Sequence, residues 1–209
     1  MKRSLAQAAA CVALGAVSSA AAFPAEPFMH EGNYALAPFA FVRFCLDYPA
    51  ECAPSPTTAR VTLSDQGFTE LTRVNRSVNQ AIEPLPSGSE PPVWRLDVRA
   101  GHCNDYAVQK RHNLIQLGWP ANALALAVVR TPTGAGHLVL TVRTDHGDFV
   151  LDNRRPNVVA WQRTGYTWPI RQSERNPQYW VQIDQGAAAF AHLAESGGAP
   201  LAPARAAGE

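Results

Sequence analysis

Apolar side chains at Phe68, Leu71, Val74, Val78 and Ile82 recur every three or four residues. That period lays them along one face of a helix, and Ser64 stands where its hydroxyl can cap the first turn. A second helix is predicted from Cys103 to Leu117, with Ala107, Val108, Leu114 and Ile115 as its inner stripe. Gly118 and Pro120 end it. A shorter apolar run over 39–47 predicts another helix. The pattern then changes: 124–130, 137–144 and 148–153 read as β-strands separated by turn residues. Tyr166, Trp168 and Pro169 begin a last extended stretch that ends near Ile183. Residues 83–92 are rich in Pro, Ser and Gly and predict a loop, followed by an extended lead-in at 94–98. Helices first and a mostly antiparallel sheet afterwards argue for an α+β fold.

The two ends of the chain do not fit this pattern. Lys2 and Arg3 precede an Ala-rich apolar run over 5–17 and a small-residue stretch over 18–22. That is the composition of an export signal over 1–22, cut before Phe23, and too short to span a bilayer comfortably. Residues 186–209 are Ala, Gly and Pro rich with no sustained period, as in a disordered tail. The expected domain is therefore 23–185, in a soluble exported protein, periplasmic if the cell has an outer membrane.

Removing the signal takes away Lys2 and Arg3, so the net charge moves from +1 to −1. A near-neutral chain has no electrostatic case for binding nucleic acid or an anionic membrane. Cys11 leaves as well, and three of the four cysteines remain. Cys45 and Cys52 flank Pro49, a turn former, so a local disulfide is expected, stapling a surface loop. Cys103 is left over. A free thiol in an oxidising compartment is a liability unless it is buried or used.

Gly101-His102-Cys103-Asn104-Asp105-Tyr106 places that thiol at the mouth of a predicted helix. Unpaired N–H groups there favour a thiolate, and Gly101 is expected to let the backbone turn sharply before it. His137 and Asp152 follow, each on a predicted strand. If the hairpin turn is centred between Asp145 and His146, Asp152 lies opposite Val139. His137 is then its diagonal neighbour, with Cβ atoms roughly 7–8 Å apart. A one-residue slip would put them on opposite faces. A thiol, an imidazole and a carboxylate in this order are the parts of a cysteine hydrolase. A backbone N–H of Cys103 would serve the oxyanion, and Asn79 is a candidate second donor, the alternative being helix packing. His102 and His112 read as solvated positions and His146 as a turn residue.

The set Phe44-Cys45 with Pro49-Ala50-Glu51-Cys52, Val74-Asn75, Val78-Asn79, Cys103-Asn104-Asp105-Tyr106-Ala107, Leu117-Gly118-Trp119-Pro120, Gly136-His137 and Val150-Leu151-Asp152-Asn153 resembles the bacterial transglutaminase-like cysteine proteinases, which include the LapG-like periplasmic proteases. The resemblance spans about residues 39–183. It implies a papain-like, transglutaminase-core fold with Cys103 as nucleophile, His137 as base and acid, and Asp152 orienting His137. It further implies cleavage of a surface adhesin that disperses biofilm, under an inner-membrane receptor for cyclic di-GMP. Calcium is held in that branch by acids flanking the cysteine. Here the flanks are His102 and Asn104, poor partners for a hard cation, so weak or absent calcium binding is expected and no other cofactor. Three readings compete with an endopeptidase: an acyl transferase on the same site, an inactive binding module of the same fold, and a metal site built from His102, Cys103, His137 and Asp152.

Overall fold

A computed structural model of the chain describes residues 26–54, 60–86, 88 and 93–184. The expected signal over 1–22 and tail over 186–209 lie outside these residues, as does part of the 83–92 loop.

The chain begins with strand β1 (His30–Ala35) and helix α1 (Phe39–Asp47), followed by a 3-10 turn at Pro49–Cys52. Helix α2 (Asp65–Ala81) starts as its sequence dictates, with Ser64 Oγ accepting the Gly67 N–H at 3.1 Å. Strands β2 (Glu83–Pro84) and β3 (Ala100–Gly101) pair in parallel and lead into helix α3 (Cys103–Gln116). The remaining strands are β4 (Leu124–Arg130), β5 (Gly136–Thr144), β6 (Gly147–Leu151), β7 (Val159–Ala160), β8 (Thr167–Gln172) and β9 (Trp180–Asp184). Seven strands form one antiparallel sheet in the order β1-β9-β8-β4-β5-β6-β7. Among the described residues no helix is long and apolar enough to cross a membrane.

Strand alternation divides the core in two. Leu138, Leu140 and Val142 of β5 join Leu71, Val74 and Val78 of α2 and Ala107, Val108 and Leu114 of α3 in the larger apolar cluster. The intervening Val139 joins Val129, Val150, Met29, Trp168 and Ile183 in a smaller one. A period of two thus feeds both clusters from one central strand. Of the stripe expected on α2, only Phe68 remains partly exposed, edge-on to Phe149. Helix α1 docks through Phe41 and Phe44, whose rings meet Trp94 just ahead of the cysteine motif.

Several expectations need correction. The last extended stretch is two strands, β8 and β9, and β9 also pairs with β1, which the apolar pattern does not mark. The loop over 83–92 begins with a strand, because Glu83 and Pro84 find partners in Ala100 and Gly101. Cys45 and Cys52 are bonded, with Cα atoms 5.6 Å apart, but the bridge is no surface staple. Cys52 is buried in the larger core cluster, and the neighbouring Glu51 carbonyl takes a hydrogen bond from buried Arg111. His112 is not simply solvated: its Nδ1 lies 2.6 Å from Glu51 Oε1, tying α3 to the same turn.

Candidate active site

The β5–β6 hairpin sets the geometry. Thr144 pairs with Gly147 and Leu140 with Leu151, so the turn is centred between Asp145 and His146. One step further along this register, Asp152 falls opposite Val139 and diagonal to His137. The diagonal is closed by a contact of 2.8 Å between His137 Nε2 and Asp152 Oδ1. Both side chains are buried.

Asp152 is held from three further directions. The Arg154 N–H donates to Oδ1 at 3.0 Å, the Tyr166 hydroxyl donates to Oδ2 at 2.6 Å, and Arg155 Nε lies 3.8 Å from Oδ2. The Tyr166 ring also packs edge-on against His137, with centroids 5.8 Å apart. Tyr166 sits with the smaller apolar cluster and Cys103 with the larger, so the imidazole stands where the two meet. Burial and then the bond to Asp152 push the Tyr166 phenol above its ordinary value, which keeps it a donor. Sequence reasoning missed this residue. It lies just ahead of β8 and carries no periodic signal.

Cys103 is the first residue of α3 and is half-buried. Burial opposes ionisation of its thiol. The hydrogen bond and charge of His137, with the backbone N–H groups of Leu138 and Asn104, outweigh burial and hold the thiol below its ordinary value. Burial likewise opposes the imidazolium, but Asp152 and Cys103 raise His137 to about 9. Asp152, despite burial, is lowered to about 2, chiefly by His137. Each group thus favours the charged form of the other, the thiol moving down and the imidazole up. Because Nε2 is committed to Asp152, Nδ1 is the ring nitrogen left for sulfur.

The entry to α3 explains the residues around the thiol. Asp105, fully buried, accepts the His102 N–H at 2.9 Å and the Arg95 N–H at 3.0 Å. This is the reach-back of a capping box. Gly101 is needed for space, not for a turn: a Cβ there would lie 2.6 Å from Asp105 Oδ2. Asn104 Nδ2 donates to the Val93 carbonyl and to Asp105 Oδ1. The oxygens of Asp105 thus face N–H donors, an arrangement suited to a cap and unsuited to a hard cation. Among the described residues, no group of three or more His, Cys, Asp and Glu side chains is disposed to hold a metal ion.

The oxyanion expectation for Asn79 does not survive. Its Nδ2 donates to the carbonyls of Asp152 and Arg155, at 3.0 and 3.2 Å, which commits its amide protons to the turn after β6. Asn79 therefore acts behind the carboxylate. Lys110 is a second residue the sequence did not flag: it is buried, near the ring of Tyr106, and burial lowers it to about 7 against the pull of Asp152.

The profile of a family described as bacterial transglutaminase-like cysteine proteinase matches residues 31–188. None of the curated proteins compared matches the chain. Among solved structures, calcium-bound LapG of Legionella pneumophila is 19% identical, with a TM-score of 0.47, covering 60% of this chain and 79% of that one. EGTA-treated LapG of the same organism is 21% identical, with a TM-score of 0.48, covering 56% of this chain and 68% of that one.

Proposed function

Because the chain belongs to the bacterial transglutaminase-like cysteine proteinase family and is a cysteine peptidase, we propose that Cys103 is its nucleophile, His137 its acid and base, and Asp152 the group that orients His137. One observation carries the assignment: a thiol at the first position of α3 and a carboxylate on β6's exit meet the same buried imidazole.

In this reading the Cys103 thiolate attacks the peptide carbonyl carbon. The C–S bond forms, and the carbonyl electron pair moves onto oxygen. Backbone N–H groups at the start of α3 face that charge. On collapse the C–N bond breaks and His137 passes its proton to the leaving amine. His137, now neutral, takes a proton from water; hydroxide attacks the thioester, releasing the acid and restoring the thiolate. Asp152 stays ionised throughout, as its depressed value requires. The test is cleavage of a protein substrate: Cys103→Ala removes it while leaving the circular dichroism spectrum unchanged. Cleavage that survives the substitution overturns the assignment.

The reading extends to setting and partners. Export is supported by the signal-like residues 1–22 and by the Cys45–Cys52 bridge, which suits an oxidising compartment. An N-terminus at Phe23 in protein recovered from the cell envelope would bear it out, and an intact Met1 would not. From the family resemblance we take a surface adhesin as the substrate and a cyclic di-GMP receptor as the controlling partner; adhesin retained on cells lacking this protein is the expected phenotype. Calcium is left out of the reading, because both Asp105 oxygens accept N–H groups of His102, Arg95 and Asn104, and Asn104 offers only a neutral carbonyl. Chelation that abolished cleavage would contradict this.

A further inference from the structure

Immediately behind the Asp152 turn lies an open cavity of about 450 Å³. One wall is the end of α2, where Arg76, Asn79 and Gln80 share a face by their spacing. The other is the turn that carries Arg154 and Arg155. Three arginines therefore line one cavity in a chain whose formal charge is only +1, and none of the described residues lining it is acidic.

The partners of these arginines leave their charge in place. Arg76 donates to the Pro156 carbonyl and to Asn157 Oδ1, both neutral. Arg155 donates to the Thr164 carbonyl, and its Nε stands 3.8 Å from Asp152 Oδ2, a carboxylate already engaged by His137 and Tyr166. Arg154 is exposed, and it is its backbone N–H, not its guanidinium, that holds Asp152. The cavity is also fixed to the reacting groups. Asn79 bonds the carbonyls of Asp152 and Arg155, so the turn that orients His137 is the same turn that forms the cavity wall.

We propose that this cavity is a substrate subsite that takes a carboxylate side chain, Asp or Glu, of the peptide being cut. The inference rests on the peptidase reading of Cys103 and adds the substrate's charge to it. Planar guanidinium groups match a carboxylate by paired N–H donors, and a site without acids repels a lysine. Unmodified protein offers no other common anionic side chain.

The test uses the mature protein and a panel of acetylated, amidated peptidyl vinyl sulfones. They carry Glu, Gln or Lys at successive positions, and Cys103 alkylation is read by intact mass. Blocked ends remove terminal carboxylates as the source of any effect. At one position the Glu probe is expected to react roughly ten-fold or more faster than Gln, with Lys slowest. Arg154→Gln and Arg76→Gln should each shrink that ratio, and Arg154→Glu should reverse the order of Glu and Lys. Equal rates for the three probes, or a ratio unchanged by the arginine variants, overturn the subsite while leaving the nucleophile standing. If neither the panel nor iodoacetamide labels Cys103, the nucleophile reading fails and the subsite falls with it.

Discussion

The β5–β6 hairpin carries buried ionic groups at both of its ends, and they behave differently. At the open end, His137 stands between Asp152 and Cys103. At the turn end, Arg143 pairs in register with Asp148, and both are buried with Arg171. Arg143 donates to the carbonyls of Asn122 and Gln172 and approaches Glu31 at 3.5 Å; Arg171 lies 3.4 Å from Asp148 and 3.8 Å from Glu31. Burial and the neighbouring Arg171 lower Arg143 to about 9, still charged at neutral pH. The turn end bonds carbonyls from separate segments, so it acts as a clamp. At the open end the thiol moves down and the imidazole moves up, each because of the other. Buried charge alone does not mark a reactive site; the convergence of two titrations does.

Substitutions should separate the two ends. After loss of the nucleophile itself, the largest effect on rate belongs to His137→Ala, which removes the proton shuttle and should lower kcat/KM by roughly 10²–10⁴-fold, measured on a cleaved substrate with the melting temperature as control. A loss of less than ten-fold would place the acid elsewhere. At the turn end, Arg143→Met leaves Glu31 and Asp148 less compensated and should cost about 3–5 kcal/mol of stability in urea unfolding. The Cys103 alkylation rate of the folded fraction should not change. If that rate collapsed while stability held, the division of labour proposed for the hairpin would be wrong. The smallest effect is Tyr166→Phe, which deletes one hydrogen bond to a carboxylate and keeps the ring against His137. It should slow turnover by about ten-fold or less and leave KM nearly unchanged. An unaltered rate would mean that Tyr166 only packs.

The hairpin was legible in the sequence because a period of two, interrupted once at Asp145-His146, fixes the register and hence which side chains share a face. The α2 and α3 stripes were legible for the same reason, and the position of Cys103 at a helix start followed from Gly101 and the apolar spacing after it. The features that escaped depend on residues far apart in the chain. Tyr166 reaches Asp152 from just ahead of β8, β1 finds β9, and Glu51 anchors Arg111 and His112 across the core. No local pattern encodes these pairings. Gly101 and Asn79 were picked out for the wrong reasons. The glycine makes room for the Asp105 cap, and the asparagine holds backbone carbonyls in place of an oxyanion. In both cases the residue type was informative, but its partner could only be known from the fold.

The central claim is the thiolate–imidazolium pair, and the direct measurement is the pH dependence of iodoacetamide alkylation at Cys103 in the mature protein and in His137→Ala. A lowered thiol value means that the thiolate forms at lower pH. The wild-type rate should therefore rise through a midpoint below that of a free thiol, about 8.5. Through neutral pH His137, raised to about 9, still holds its proton beside the sulfur. In His137→Ala the midpoint should move up, because burial then acts on the thiol without its counter-charge. A wild-type midpoint at or above the free-thiol value, or one that His137→Ala does not move, would contradict the account.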